Sequence, residues 1–67
     1  MSAARADLHA YAHALRISVP YLHPARRATV DVGIMRMFEA ADRGDAQEFA
    51  KLARCVEDAI QDELDNQ

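Results

Sequence analysis

Two histidines one helical turn apart are the residues whose spacing most closely matches a chemical site. His9 and His13 stand at positions i and i+4 of a stretch with helical periodicity, so both imidazoles project from one helix face. That spacing can present two nitrogen ligands to one metal ion. His23 and Cys55 are the other candidate ligands in the chain.

The surroundings of the histidine pair argue against a metal. Arg5 and Arg16 fall on the same flank of the helix and would repel a cation. Asp7 lies far round the helix, so the helix brings no carboxylate to that face. We predict no metal and no cofactor, and we interpret the pair as part of a solvated flank. A pH-sensitive basic strip is the alternative, because histidine titrates near neutrality.

Cys55 is the single cysteine, so the chain cannot form an intramolecular disulfide. This count favours a reducing cytoplasm. The residue falls at the edge of an apolar stripe, where a lone cysteine is usually a small buried hydrophobe. Three short helices rarely enclose a pocket, so we predict no catalytic residue and no enzyme activity.

Charge is unevenly distributed along the chain, whose net charge is −3. Residues 1–36 carry five arginines against two aspartates, whereas residues 37–67 carry three basic residues against nine acids. A nucleic-acid contact would need a basic footprint. The possible basic patch consists of Arg16, Arg26, Arg27 and Arg36.

Composition and periodicity predict an all-α fold. The chain is rich in alanine, has two glycines and two prolines, and no segment alternates apolar with polar residues. Sixty-seven residues suffice for one domain at most. We find no apolar run long enough to span a membrane and no signal-peptide pattern.

Local signals place three helices. The first is expected over about residues 3–17, with Ser2 as its N-cap and its end before Pro20. A proline-bounded connector follows over residues 18–24, and we expect its Tyr21 and Leu22 to plug one end of the core. Ser18 is an alternative cap for a short helical turn opening at Pro20.

The second helix is predicted over about residues 24–42, because Pro24 suits a first helical position and Gly44 suits a left-handed C-cap. Gly33, inside it, indicates a close approach of another helix. The third helix is predicted over about residues 46–64. Asp45 and Glu48 should cap its start reciprocally. The short junction makes helices two and three a tight antiparallel hairpin.

Acidic residues crowd the end of helix three, where they oppose the helix dipole. We expect either a cationic partner there or the arginine-rich half of the chain itself. The patch consists of Glu57, Asp58, Asp62, Glu63 and Asp65.

Helix two is apolar on two faces, and this decides what we expect of its partners. The main stripe belongs to the core. The predicted core is Leu8, Tyr11, Leu15, Leu22, Val30, Ile34, Met37, Phe38, Phe49, Leu52, Val56 and Ile60. A second stripe, Ala28, Val32 and Met35, is left over, and we predict that a second copy covers it to form a dimeric helical bundle. The alternative is that helix one covers it and the chain is monomeric.

The functional expectation is a small non-enzymatic module that binds a protein target as a regulator, adaptor or inhibitor. Small cytoplasmic regulators of bacteria and phages often have this size and composition. The alternative is a nucleic-acid-associated regulator that uses the arginines of the basic patch.

Overall fold

The computed structural model describes the backbone of residues 3–66 and the side chains of residues 5–66. Helix α1 spans Ala3–Arg16, a short 3-10 helix spans Val19–Tyr21, α2 spans Pro24–Arg43 and α3 spans Ala46–Asp65. The predicted all-α fold, with α2 and α3 as a tight hairpin, is confirmed. Each helix ends within one residue of the predicted position. Ser2, the predicted N-cap, lies outside the described residues.

The hairpin junction is built as its sequence predicts. Gly44 adopts a left-handed conformation with φ 72°. Its N–H donates to Ala41 O at 3.0 Å, and the Asp45 N–H donates to Ala40 O at 2.9 Å, which is the Schellman pattern. Asp45 Oδ1 then accepts from the Glu48 N–H at 3.0 Å and caps α3. Because the Asp45 N–H is already used by Ala40, only this half of the predicted reciprocal box forms.

The start of α2 is capped by a residue that the sequence suggested only as a metal ligand. His23 is the N-cap, and its Nδ1 accepts from the Ala25 N–H at 3.1 Å. Pro24 follows as the first helical residue, as predicted. The Arg27 guanidinium bonds back to the connector, donating to Leu22 O at 2.9 Å and to Pro20 O at 3.0 Å.

The connector plugs the core with different residues from those expected. Leu22 is 3% exposed, as predicted, but Tyr21 is 78% exposed. The 3-10 turn explains the difference, because residues three apart share a face in this geometry. Val19 and Leu22 therefore both point inward, and Tyr21 points to solvent. The Ser18 side chain makes no capping hydrogen bond.

Most of the predicted core is buried or packs against the buried cluster. The prediction that Tyr11 belongs to the core is wrong, since this residue is 44% exposed. Small residues do more of the packing than the sequence pattern predicts. The buried cluster consists of Ala12, Val19, Leu22, Val30, Ile34, Met37, Ala40, Ala41, Phe49, Ala53 and Val56. Leu8, Leu15, Phe38, Leu52 and Ile60 are partly buried against it.

Gly33 marks the crossing of α2 and α3, as predicted. A Cβ placed on Gly33 would lie only 2.7 Å from Val56 Cγ2. The glycine therefore lets the two helices approach more closely than any other residue would.

Candidate protein-interaction surfaces

The outer strip, which we define as Ala28, Val32 and Met35, lies on the face of α2 opposite the core. Val32 is 49% exposed and Met35 is 61% exposed, and Ala28 is exposed as well. The buried residues of α2, among them Val30 and Ile34, occupy the opposite side of the helix. Helix α1 therefore does not cover the outer strip, and apolar side chains remain in contact with solvent.

A second apolar surface lies between α1 and α3, beside Tyr11, which the sequence pattern placed in the core. Both helices pack mainly against α2 and touch each other little, which leaves a shallow groove of about 640 Å³ between them. Tyr11 forms one wall, and its ring lies 6.3 Å from that of Phe49 in an edge arrangement. The groove is lined by Leu8, Tyr11, Phe49, Ala50 and Ala53, with Asp7, Arg54 and Glu57 around them.

Cys55 lies on a smaller groove of about 300 Å³ between α2 and α3, beside Val32, Leu52 and Arg36. The cysteine is exposed, so its interpretation as a buried hydrophobe is wrong. The groove also contains Gly33 and Val56, so the thiol lies beside the crossing of the two helices.

One arginine of the basic patch, Arg26, contacts the acidic end of α3. Arg26 Nη2 lies 2.6 Å from Asp62 Oδ2, its Nε lies 3.2 Å from Glu63 Oε1, and its Nη1 donates to Ala59 O at 3.1 Å. The expectation that the arginine-rich half approaches the acidic end of helix three is met by these contacts.

The remaining members of the basic patch point in different directions. Arg27 turns to the connector. Arg36 lies on the rim of the groove between α2 and α3, and Arg16 is exposed at the last residue of α1. The fold thus uses Arg26 and Arg27 to join its own elements.

The histidine pair of α1 packs on an aromatic ring of α2. The ring centroid of Phe38 lies 5.2 Å from that of His9 and 4.8 Å from that of His13. His9 Nε2 donates to Asp42 Oδ1 at 2.9 Å, and Arg5 Nη2 donates to the same oxygen at 3.2 Å. The bond from His9, followed by that from Arg5, lowers the pKa of Asp42.

The carboxylate beside the pair could not be found from the periodicity of α1, because Asp42 belongs to α2. A His-carboxylate contact across two helices leaves no pattern in either helix alone. Among the described residues, no group of three or more His, Cys, Asp or Glu side chains is placed to hold a metal ion.

Within the described part of the chain, no helix is both long enough and apolar enough to cross a bilayer. The sequence matches no protein-family model, and no curated protein or solved structure is significantly similar to it.

Proposed function

We propose that the chain is a small non-enzymatic protein–protein interaction module that self-associates and binds a protein target as a regulator, adaptor or inhibitor. The observation that carries the proposal is the outer strip. Val32 and Met35 stand together on a helix face that no other described element covers. Adjacent exposed aliphatic side chains at helical spacing are typical of an interface between helices.

The groove between α1 and α3 supports a second contact, with the target. Two helices that are separated by an apolar groove leave room for one further helix, which would complete a four-helix arrangement. Tyr11 and Ala50 are accessible there, so a partner with an amphipathic helix can reach the floor without unfolding the domain. We place this activity in the cytoplasm, where the exposed thiol of Cys55 stays reduced.

The nucleic-acid alternative has less support. Arg26 and Arg27, two of the four arginines on which it depends, are engaged with Asp62, Glu63 and carbonyl oxygens of the chain itself. Phosphate binding would have to break those contacts.

Analytical ultracentrifugation over a range of concentrations tests the self-association. We expect a reversible dimer for the wild type and a monomer for the double variant Val32→Glu/Met35→Glu, because burying two carboxylates in an apolar seam is unfavourable. Ile17→Glu is the control for an added surface carboxylate, since Ile17 is 71% exposed in the turn that follows α1 and lies outside the outer strip. A wild-type monomer at the highest concentrations, or an equal loss of dimer in the control, contradicts the proposal.

Co-purification tests the groove. Ala50→Arg would fill the groove, whereas Ala14→Arg adds the same side chain to an exposed position of α1 outside it. A specific helical target should be lost with the first variant and retained with the second. Equal retention by both variants would show that the target does not use the groove.

A further inference from the structure

The two flanks of the outer strip carry opposite charges. Asp31 and Arg36 lie about 70° to either side of the centre of the strip, given 100° of rotation per residue. Both side chains are exposed, and neither takes part in an ion pair among the described residues. They are five residues apart, so they do not face each other on their own helix, where only residues three or four apart are neighbours.

The symmetry of a dimer decides which flanks meet. If two copies of α2 pack antiparallel, the two-fold axis brings the same flank of each copy together. Arg36 then approaches Arg36 of the second copy, and Asp31 approaches Asp31. If they pack parallel, the axis runs along the helices and opposite flanks meet. Asp31 of each copy then faces Arg36 of the other, which gives two identical ion pairs.

We infer that α2 pairs with α2 of a second copy in parallel and in register, with Ala28, Val32 and Met35 in the seam and Asp31–Arg36 pairs on both sides. This inference rests on the proposed self-association and adds its geometry. The spacing agrees with that of parallel two-stranded coiled coils, in which flanking residues five apart form ion pairs between helices. Val32 supplies the β-branched residue that such pairs favour at alternate seam positions.

Glu39 sets the length of this seam. It occupies the next seam position after Met35 and is exposed, so the apolar contact stops at Met35, and in a parallel pair the two Glu39 carboxylates face each other and repel. The dimer is therefore expected to be weak and reversible. Replacing Glu39 by leucine should tighten it, because a fourth apolar layer is added.

Disulfide trapping tests the orientation. In an Ala28→Cys/Cys55→Ser variant, a parallel pair brings the two introduced thiols together across the seam. In an antiparallel pair centred between Val32 and Met35, they would be roughly 16 Å apart along the axis at 1.5 Å per residue. That separation exceeds the limit of about 7 Å between Cα atoms for a disulfide. The Ala14→Cys/Cys55→Ser variant is the control, because its introduced thiol lies outside the seam and cross-links only by random collision.

We expect mild oxidation to give much more covalent dimer with the Ala28→Cys variant than with the Ala14→Cys control. Charge variants provide a second readout. Asp31→Arg and Arg36→Asp should each weaken the dimer about tenfold, since two ion pairs become two repulsions. The double exchange Asp31→Arg/Arg36→Asp should restore it. In an antiparallel dimer like charges already oppose each other, so the single variants should leave the affinity unchanged.

The outcomes separate the two proposals. A wild-type dimer, with no more cross-linking in the Ala28→Cys variant than in the control, overturns the parallel arrangement and leaves self-association standing. A wild-type monomer overturns both. Both charge positions are exposed, and circular dichroism of each variant checks that the helices are retained.

Discussion

The two helix pairs of this fold, α2 with α3 and α1 with α2, differ in what holds them together. Helices α2 and α3 meet at a glycine, share a capped junction of two residues and are tied at their open end by Arg26. Helix α1 rests its histidines on Phe38 and bonds to the exposed carboxylate of Asp42. We infer from this comparison that α1 opens more readily than the hairpin does, although Ala12 is buried in the core. The limited contact of α1 with α3 leaves the groove open.

Gly33→Ala should have the largest effect on stability, because it introduces a side chain where α2 and α3 are already in close contact. The new methyl would meet Val56 Cγ2 at 2.7 Å, and valine has little χ1 freedom with which to move away. Overpacking outweighs the gain in helix propensity of about 1 kcal/mol, so we expect a net loss of about 1.5 kcal/mol. Urea unfolding of both proteins measures this difference in the free energy of unfolding.

A double-mutant cycle shows whether the loss arises at this contact. Val56→Ala removes the methyl groups that the new side chain meets, so Gly33→Ala should cost much less, or stabilise, in that background. An equal cost in both backgrounds would show that the crossing does not depend on Gly33.

Arg26→Gln should have the next largest effect, at the open end of the hairpin. Glutamine cannot bind Asp62, Glu63 and the Ala59 carbonyl together, and it leaves the two carboxylates without a cation. Because the pairs are partly exposed, we expect a loss of only about 1 kcal/mol.

Arg16→Gln is the matched control for Arg26→Gln, since Arg16 is exposed and makes no ion pair among the described residues. Salt should reduce the difference between Arg26→Gln and the wild type. Equal stability of both variants would show that the contacts of Arg26 do not stabilise the hairpin.

The hairpin could be predicted from sequence because its determinants are local. Gly44 and Asp45 specify a helix end and a helix start at adjacent residues, and the periodicity on each side identifies the packed faces. Even the role of Gly33 could be predicted, because a glycine inside a helix usually has a packing reason.

The attachment of α1 could not be predicted in the same way, because it depends on pairs distant in sequence. His9 and Asp42 are thirty-three residues apart, and the sequence of neither helix contains a pattern that identifies the residue it contacts in the other. The exposure of Tyr11 follows from the spacing between α1 and α3, which periodicity does not determine. The burial of Ala40 could not be predicted, because alanine is common on both faces of helices.

Asp42→Asn should have the smallest effect on stability, and this effect should be confined to α1. The bonds from His9 and Arg5 hold the pKa of Asp42 below its ordinary value of 3.8 in the folded chain. A lowered folded-state pKa contributes stability above the unfolded value, and that contribution is lost as the pH falls through the folded value. The wild type should therefore exceed Asp42→Asn in stability at neutral pH, and the difference should disappear in acid.

Hydrogen exchange at neutral pH shows where this contribution acts. Amides of α1 should exchange faster in Asp42→Asn than in the wild type, whereas those of α2 and α3 should change little, because the hairpin contacts are intact. Asp58→Asn is the control, since Asp58 is exposed and has no ion-pair partner among the described residues. If all three helices lost protection together, α1 and the hairpin would form one cooperative unit, and the contrast between the two helix pairs would be wrong.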